Sequence, residues 1–239
     1  MPRKWSENIG FFGFLSAVFT LIVWVGNDYW IEVFEDDEPS VSAGKVSNGG
    51  LVNGKRLPSS GPNFQTYSRL GSLIGRTCVH HAVRDTIVDS YSEVFQVNPE
   101  WRFVYGETGW CTGGPFEPHK THQNGLSVDF MIPIRDNGVS TPLPTWPWNK
   151  WGYNLVFSDS GKLNDWVIDF DALVAHLHAL DKAAKEHGLK IEKVILEPPL
   201  HDEVFKAKDG KKLKRLPWME KAAWVRHDNH YHVDFKVVD

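Results

Sequence analysis

Two short stretches of the chain carry side chains that bind metals. His119, His122 and Asp129 form an HxxHxxxxxxD pattern, and His227, His230 and His232 form HxxHxH about a hundred residues later. Two histidines and a carboxylate make a catalytic zinc set, in which the fourth coordination position stays open for water, whereas a closed structural site is more often rich in cysteine. Cys78 and Cys111 are the only cysteines, too few for a site of that kind. A single HxH at a strand edge would be an ordinary polar pair. Five histidines and an aspartate in two clusters, both bordering strand-like segments, point instead to one metal site assembled from two halves. Zinc acidifies a water to a pKa of about 7 and polarises a carbonyl, and a neighbouring imidazole can then move the proton. No HExxH is present to supply a glutamate base.

The elements that must position these groups follow from periodicity. Leu126, Val128, Phe130 and Ile132 alternate with Ser127, Asp129 and Met131, the pattern of a half-buried strand with Asp129 on its less apolar face. Tyr231, Val233 and Phe235 alternate in the same way with His230, His232 and Asp234. Two neighbouring strands would bring Asp129 and His232 to one point, with His122 entering from the glycine-containing loop before the first. Residues 77–95 have apolar positions at helical spacing, with Cys78 at the start and His80 and His81 as capping or polar-face residues. Residues 169–187 form the clearest helix, capped by Asp169 or Asp171 and ended by Gly188; its His176 and His178 point in different directions and are no metal pair. Residues 191–196 read as a buried strand, and Pro198 and Pro199 break the chain before a short helix. Between residues 141 and 153, Trp146, Trp148, Trp151 and Tyr153 are interleaved with prolines; they fit a cleft wall or simple loop packing equally.

The residues around the two clusters resemble the penicillin-insensitive murein endopeptidases, of the LAS group that also holds lysostaphin, D-Ala-D-Ala peptidases and the hedgehog signalling domain. HQNGLSVD at 122–129 is similar to that family's SHQxGLDVD, and WVRHDNHYHV at 224–233 to its terminal WxxHxxHFHV. The resemblance covers roughly residues 69–237. Ser127 departs from it where an aspartate is expected, and Asp234 where an arginine is expected. It implies zinc ligands His122, Asp129 and His232, with His230 and His227 beside the attacking water and His119 as a further pocket residue. Glu107, ending the strand-like stretch 101–107, is either a carboxylate supporting the ligands or a solvated loop residue.

The fold expected is α+β: a small central antiparallel sheet with flanking helices and the zinc site on one sheet face. The activity implied is zinc-dependent hydrolysis of D-Ala to meso-diaminopimelate crosslinks in peptidoglycan, with peptide stems as partner. Two alternatives share the metal core: a D-Ala-D-Ala carboxypeptidase, and a non-catalytic zinc-containing module that binds peptidoglycan. The presence of both His227 and His230 beyond the ligands favours an enzyme.

The chain of 239 residues is 41% apolar, enough for a substantial core, and its net charge of −4 leaves no nucleic-acid footprint. Residues 8–27 contain no charged side chain and at helical rise span about 30 Å, the thickness of a bilayer core. Arg3 and Lys4 precede this run and acidic residues follow it, which keeps the start in the cytoplasm and sends the remainder across the inner membrane into the periplasm. Trp24, Tyr29 and Trp30 fit an interfacial belt and no A-x-A site follows, so residues 1–30 are expected to be an uncleaved anchor; a cleaved signal peptide would release the protein into the periplasm instead. Residues 31–62, rich in Ser, Gly, Asn and Pro, read as a flexible linker, and residues 63–239 as the peptidase domain. Outside the cytoplasm Cys78 and Cys111 form either one bridge or two buried thiols. Six basic residues from 206 to 215 read as a solvated loop.

Overall fold

The computed structural model describes residues 3–238; Met1, Pro2 and Asp239, the outermost residues of the expected anchor and domain, lie outside the described residues, as do the side chains of residues 3–11, Arg3 and Lys4 among them. In chain order the elements are α1 (Arg3–Phe34), β1 (Val41–Lys45), β2 (Asn48–Val52), β3 (Lys55–Arg56), β4 (Phe64–Thr66), α2 (Arg69–Leu73), β5 (Cys78–Val79), α3 (His81–Val97), β6 (Phe103–Tyr105), β7 (Ser127–Met131), β8 (Ile134–Asp136), β9 (Val139–Thr141), β10 (Lys162–Leu163), β11 (Trp166–Ile168), α4 (Phe170–Glu186), β12 (Leu189–Ile195), α5 (His201–Lys206) and β13 (His230–Val237). The class is mixed α+β with several small sheets rather than one: β1-β2, β3-β5, β10-β11-β8-β9, and a five-stranded sheet ordered β12-β13-β7-β6-β4. In the last, β12, β13, β7 and β6 pair antiparallel while β4 joins β6 in parallel.

The two strands foreseen from alternation are neighbours, and their register sets Asp129 opposite His232 and Phe130 opposite Tyr231. Successive side chains leave a strand on opposite faces. Val128, Phe130, Tyr231 and Val233 therefore enter the main core with Val83, Ile87 and Tyr91 of α3 and Leu173, Leu177 and Leu180 of α4, while Ser127, Asp129, His230, His232 and Asp234 turn the other way. That other face is not half-exposed as the alternation suggested. All five residues of β7 are buried, because loops cover the polar side.

Both long core helices begin on caps that satisfy free backbone N–H groups. Asp169 accepts from Ala172 N at the start of α4, and the His80 ring accepts from Ala82 N at the start of α3. The latter helix starts later than its periodicity suggested, since Cys78 and Val79 pair with β3 instead. His176 of α4 is fully buried, its Nδ1 2.5 Å from the Tyr231 hydroxyl and its Nε2 3.2 Å from Ser90 Oγ.

Residues 31–62 are not a tether. Helix α1 continues to Phe34, and the segment after it forms the β1-β2 hairpin and β3, with Leu51 and Leu57 buried. Glycine-rich composition signalled backbone freedom, but here it serves close approach: a Cβ on Gly49 would lie 2.4 Å from Ala43 O. The end of α1 is fastened to the body. Asn27, 1% exposed, donates to Leu57 O and accepts from Arg56 Nη1; Asp28 accepts from Ser59 N. Arg69 donates to Trp24 O at 2.6 Å and lies over the Trp24 ring at 3.9 Å, while Glu35 pairs with Arg84. Before this clamp, Phe12, Phe14, Phe19 and Leu21 stand exposed, and by length and composition α1 can cross a membrane.

Two expectations follow. A fragment beginning at Pro62 loses two buried leucines worth about 2 kcal/mol each, a large share of a domain's margin. It should show no cooperative thermal transition, whereas one beginning at Glu35 should retain it; a sharp transition in the shorter fragment would contradict the packing described. Burial also pushes the His176 pKa down to about 3. The unfolded chain therefore takes up this proton near pH 6.5 while the fold refuses it, so the stability is fully present above pH 6.5 and falls toward pH 3. Urea titrations of His176→Phe should lose up to about 1.4 kcal/mol per pH unit of the wild-type slope between pH 5.5 and 4.

Candidate metal centre

Seven titratable residues converge above the β7-β13 pair: Glu107, His119, His122, Asp129, His227, His230 and His232. Asp129 sits at their centre, fully buried. His232 Nδ1 is 2.8 Å from its Oδ1, His122 Nε2 3.3 Å from the same oxygen, His119 Nδ1 3.8 Å and His230 Nε2 3.9 Å from its Oδ2. His119, His122 and Asp129 offer ligand atoms that all lie within 4.8 Å of one another. His227 joins through its ring, 4.5 Å from that of His230.

His122 carries the most informative geometry. Its Nδ1 donates to Thr108 O, so in the neutral ring Nε2 bears a lone pair. Burial holds the pKa of this ring down, favouring the neutral form. Nε2 thus presents a lone pair to a carboxylate oxygen and has no hydrogen-bond partner. Two acceptors at 3.3 Å in a buried site suit a cation between them, and the His119, His122 and Asp129 donors around them could hold a metal ion. The backbone at His122 is itself unusual for a non-glycine residue, with φ of 68°, a strain of a kind that clusters at functional sites.

The supporting groups fix the rings. His230 Nδ1 donates to Asn229 Oδ1 at 2.6 Å, and Asn229 Nδ2 donates to Tyr153 O and Leu155 O. His227 Nδ1 donates to Val225 O, and its backbone N–H to Glu197. Both rings therefore keep a free lone pair on Nε2. Burial pushes the His230 pKa down to about 3 and lowers that of His227, so both are neutral bases. Burial disfavours charge on Asp129 too, yet the bonds donated by His232 and Tyr153 help hold its pKa well below the usual carboxylate range.

Glu107 is no solvated loop residue. It is 8% exposed and receives bonds from Tyr67 Oη at 2.8 Å and Arg76 Nε at 2.5 Å, with His119 Nε2 2.6 Å from its other oxygen. Burial resists its charge, but the bonds to His119 and Arg76 lower its pKa to about 2, and Glu107 in turn raises that of His119 against burial. Cys78 and Cys111 form a disulfide. It backs the loop that serves His122: Thr108, whose carbonyl accepts the hydrogen bond from His122 Nδ1, donates through Oγ1 to Cys78 O.

A match to the family model for penicillin-insensitive murein endopeptidase runs from residue 42 to residue 238. The chain belongs to that family. Being a murein endopeptidase by family, it is an enzyme, a peptidase whose substrate is peptidoglycan. No curated protein matches it closely enough to count as a relative. The family match begins inside β1, so the hairpin that composition assigned to a linker belongs to the endopeptidase unit.

Tyr153 is a residue of this endopeptidase site that sequence reasoning left uncommitted. Its hydroxyl donates to Asp129 Oδ2 at 2.9 Å and accepts from Glu107 N at 3.0 Å. Burial and the nearby Asp129 charge push its pKa well above 10, so it remains a donor. The signal was faint: a tyrosine closing a proline- and tryptophan-rich loop. Gly106 completes the arrangement, since a Cβ there would lie 2.6 Å from the Tyr153 hydroxyl. Tyr153→Phe leaves a buried carboxylate oxygen and a buried N–H each short of a partner, at a cost of about 1–3 kcal/mol. Urea denaturation should show that loss, and a variant as stable as wild type would remove Tyr153 from the site's support.

Proposed function

We propose that this chain is a zinc-dependent endopeptidase cutting D-Ala to meso-diaminopimelate crosslinks, mounted on the inner membrane with its catalytic face in the periplasm. The observation that carries the reading is the partnerless His122 Nε2 facing Asp129 in a buried cage, with the neutral rings of His227 and His230 nearby. His122, Asp129 and His232 serve as ligands, and His119, with one ring nitrogen tied to Glu107, borders them. Zinc held there would polarise the scissile carbonyl and acidify the attacking water. His230, its ring set by Asn229, accepts the water proton on Nε2 and returns it to the leaving amine; His227 stands beside it as an auxiliary base. Asp129 stays ionised throughout. No serine nucleophile takes part, which accords with insensitivity to β-lactams that acylate serine.

The anchor in this reading is a rigid mount. Arg69 grips Trp24 of α1, and two residues earlier Tyr67 donates to Glu107 of the site. The catalytic face is thereby held close behind the emerging helix, with crosslinks near the bilayer as its targets.

Full-length protein in detergent should convert muropeptide dimers to monomers in a chromatographic assay of crosslinked peptidoglycan. A chelator should stop this and added zinc restore it. His230→Ala should keep one zinc per chain while losing roughly 100-fold or more in rate, the scale of a lost general base. His122→Ala and His232→Ala should lose the zinc itself. Dimers that persist while zinc is bound would end the endopeptidase reading; free D-alanine would then mark a carboxypeptidase, and bound but intact wall peptide a recognition module.

A further inference from the structure

We infer that Asp234 and Ser127 act together as a positioning pair that holds His232 toward the metal cage and raises the site's affinity for its cation; this rests on the metal reading given above. The two residues face each other in the register of β13 and β7, two positions along from His232 and Asp129. Residues two apart on a strand share a face, so all four lie on the same side of the sheet. Ser127 is fully buried and Asp234 is 2% exposed.

Their hydrogen bonds give the pair a direction. Asp234 Oδ1 accepts from Ser127 Oγ at 2.6 Å and from His232 Nε2 at 2.7 Å, while Lys193 Nζ reaches its Oδ2 at 3.3 Å. A carboxylate at Nε2 keeps a proton on that nitrogen, so Nδ1, which donates to Asp129 Oδ1 at 2.8 Å, is the nitrogen that a cation in the cage would take in place of its proton. Carboxylate partners of this kind orient a ligating imidazole and make it more basic. Ser127 supplies the second bond that fixes where Oδ1 points, and Lys193, 44% exposed, offsets part of the buried charge from the solvent side.

Both positions depart from the pattern that the surrounding motifs otherwise follow, with a hydroxyl on β7 where an aspartate is expected and an acid on β13 where a base is expected. The departures fall on one register pair and bond each other. The acidic group thus stands on the strand that carries His232, two residues away from the ring it orients.

The test is cation affinity of the full-length protein in detergent, by competition with a chromophoric chelator for zinc, with the visible spectrum of the cobalt-substituted protein as a second readout. Asp234→Ala should bind zinc about 10–100-fold more weakly and alter the cobalt spectrum. Asp234→Asn still offers an acceptor to Nε2 without the full charge; it should fall between wild type and the alanine variant, and it serves if the alanine variant does not fold. Ser127→Ala should weaken binding less, and adding it to Asp234→Ala should bring little further loss. Unchanged affinity and an unchanged spectrum in Asp234→Asn and Ser127→Ala, with only thermal stability lowered, would make the pair structural and overturn the inference. Wild-type protein that takes up neither cation would fail earlier, sinking the metal reading and this inference with it.

Discussion

Everything at the site depends on the pairing of β7 with β13, which sets a buried carboxylate opposite a buried imidazole. Asp129 and His232 meet across that register at 2.8 Å, and the residues flanking them on each strand send large apolar side chains into the opposite core. A slip of one residue would turn every side chain to the other face. The Phe130 and Tyr231 rings, stacked at 5.3 Å, and the contact of Tyr231 with His176 therefore guard the chemistry as well as the fold. The hydrophobic effect fixes the register, and the register fixes the site.

Burying an ionised carboxylate is costly, so the surroundings must compensate with charge and hydrogen bonds. Here compensation comes in layers. His232 and Tyr153 bond Asp129 directly, and Asp234 holds His232 in turn. On the other side Glu107 ties His119 to Arg76 and Tyr67, while Asn229 and Thr108 fix the His230 and His122 rings. Among the Asp129 neighbours, His122 Nε2 is fully buried without a hydrogen-bond partner, which is why the cage could hold a cation.

The same logic extends outward to the N-terminal helix. A buried asparagine and an aspartate on α1 accept and donate bonds to β3 and the turn after it, and cation–π contacts from Arg69 and Arg56 cover Trp24 and Trp30. Local polarity in the 31–62 segment was a poor guide to mobility, because its backbone groups find partners in the body of the domain.

The sequence by itself determined which side chains gather at the site and which strands carry Asp129, His230 and His232. Histidine and aspartate at those spacings have few other uses, and period-two alternation reports directly on which face each residue takes. Helices α3 and α4, the caps at His80 and Asp169 and the β12 strand were legible for the same local reason. Only the tertiary structure decided the rest, because it depends on contacts between residues far apart in the chain. Such contacts brought Tyr153 from a tryptophan-rich loop onto Asp129, buried Glu107 beside His119, joined Ser127 to Asp234, divided the strands among several sheets, and packed a glycine-rich segment into the domain. None of these leaves a periodic trace, since each is set by how distant surfaces meet when the core closes.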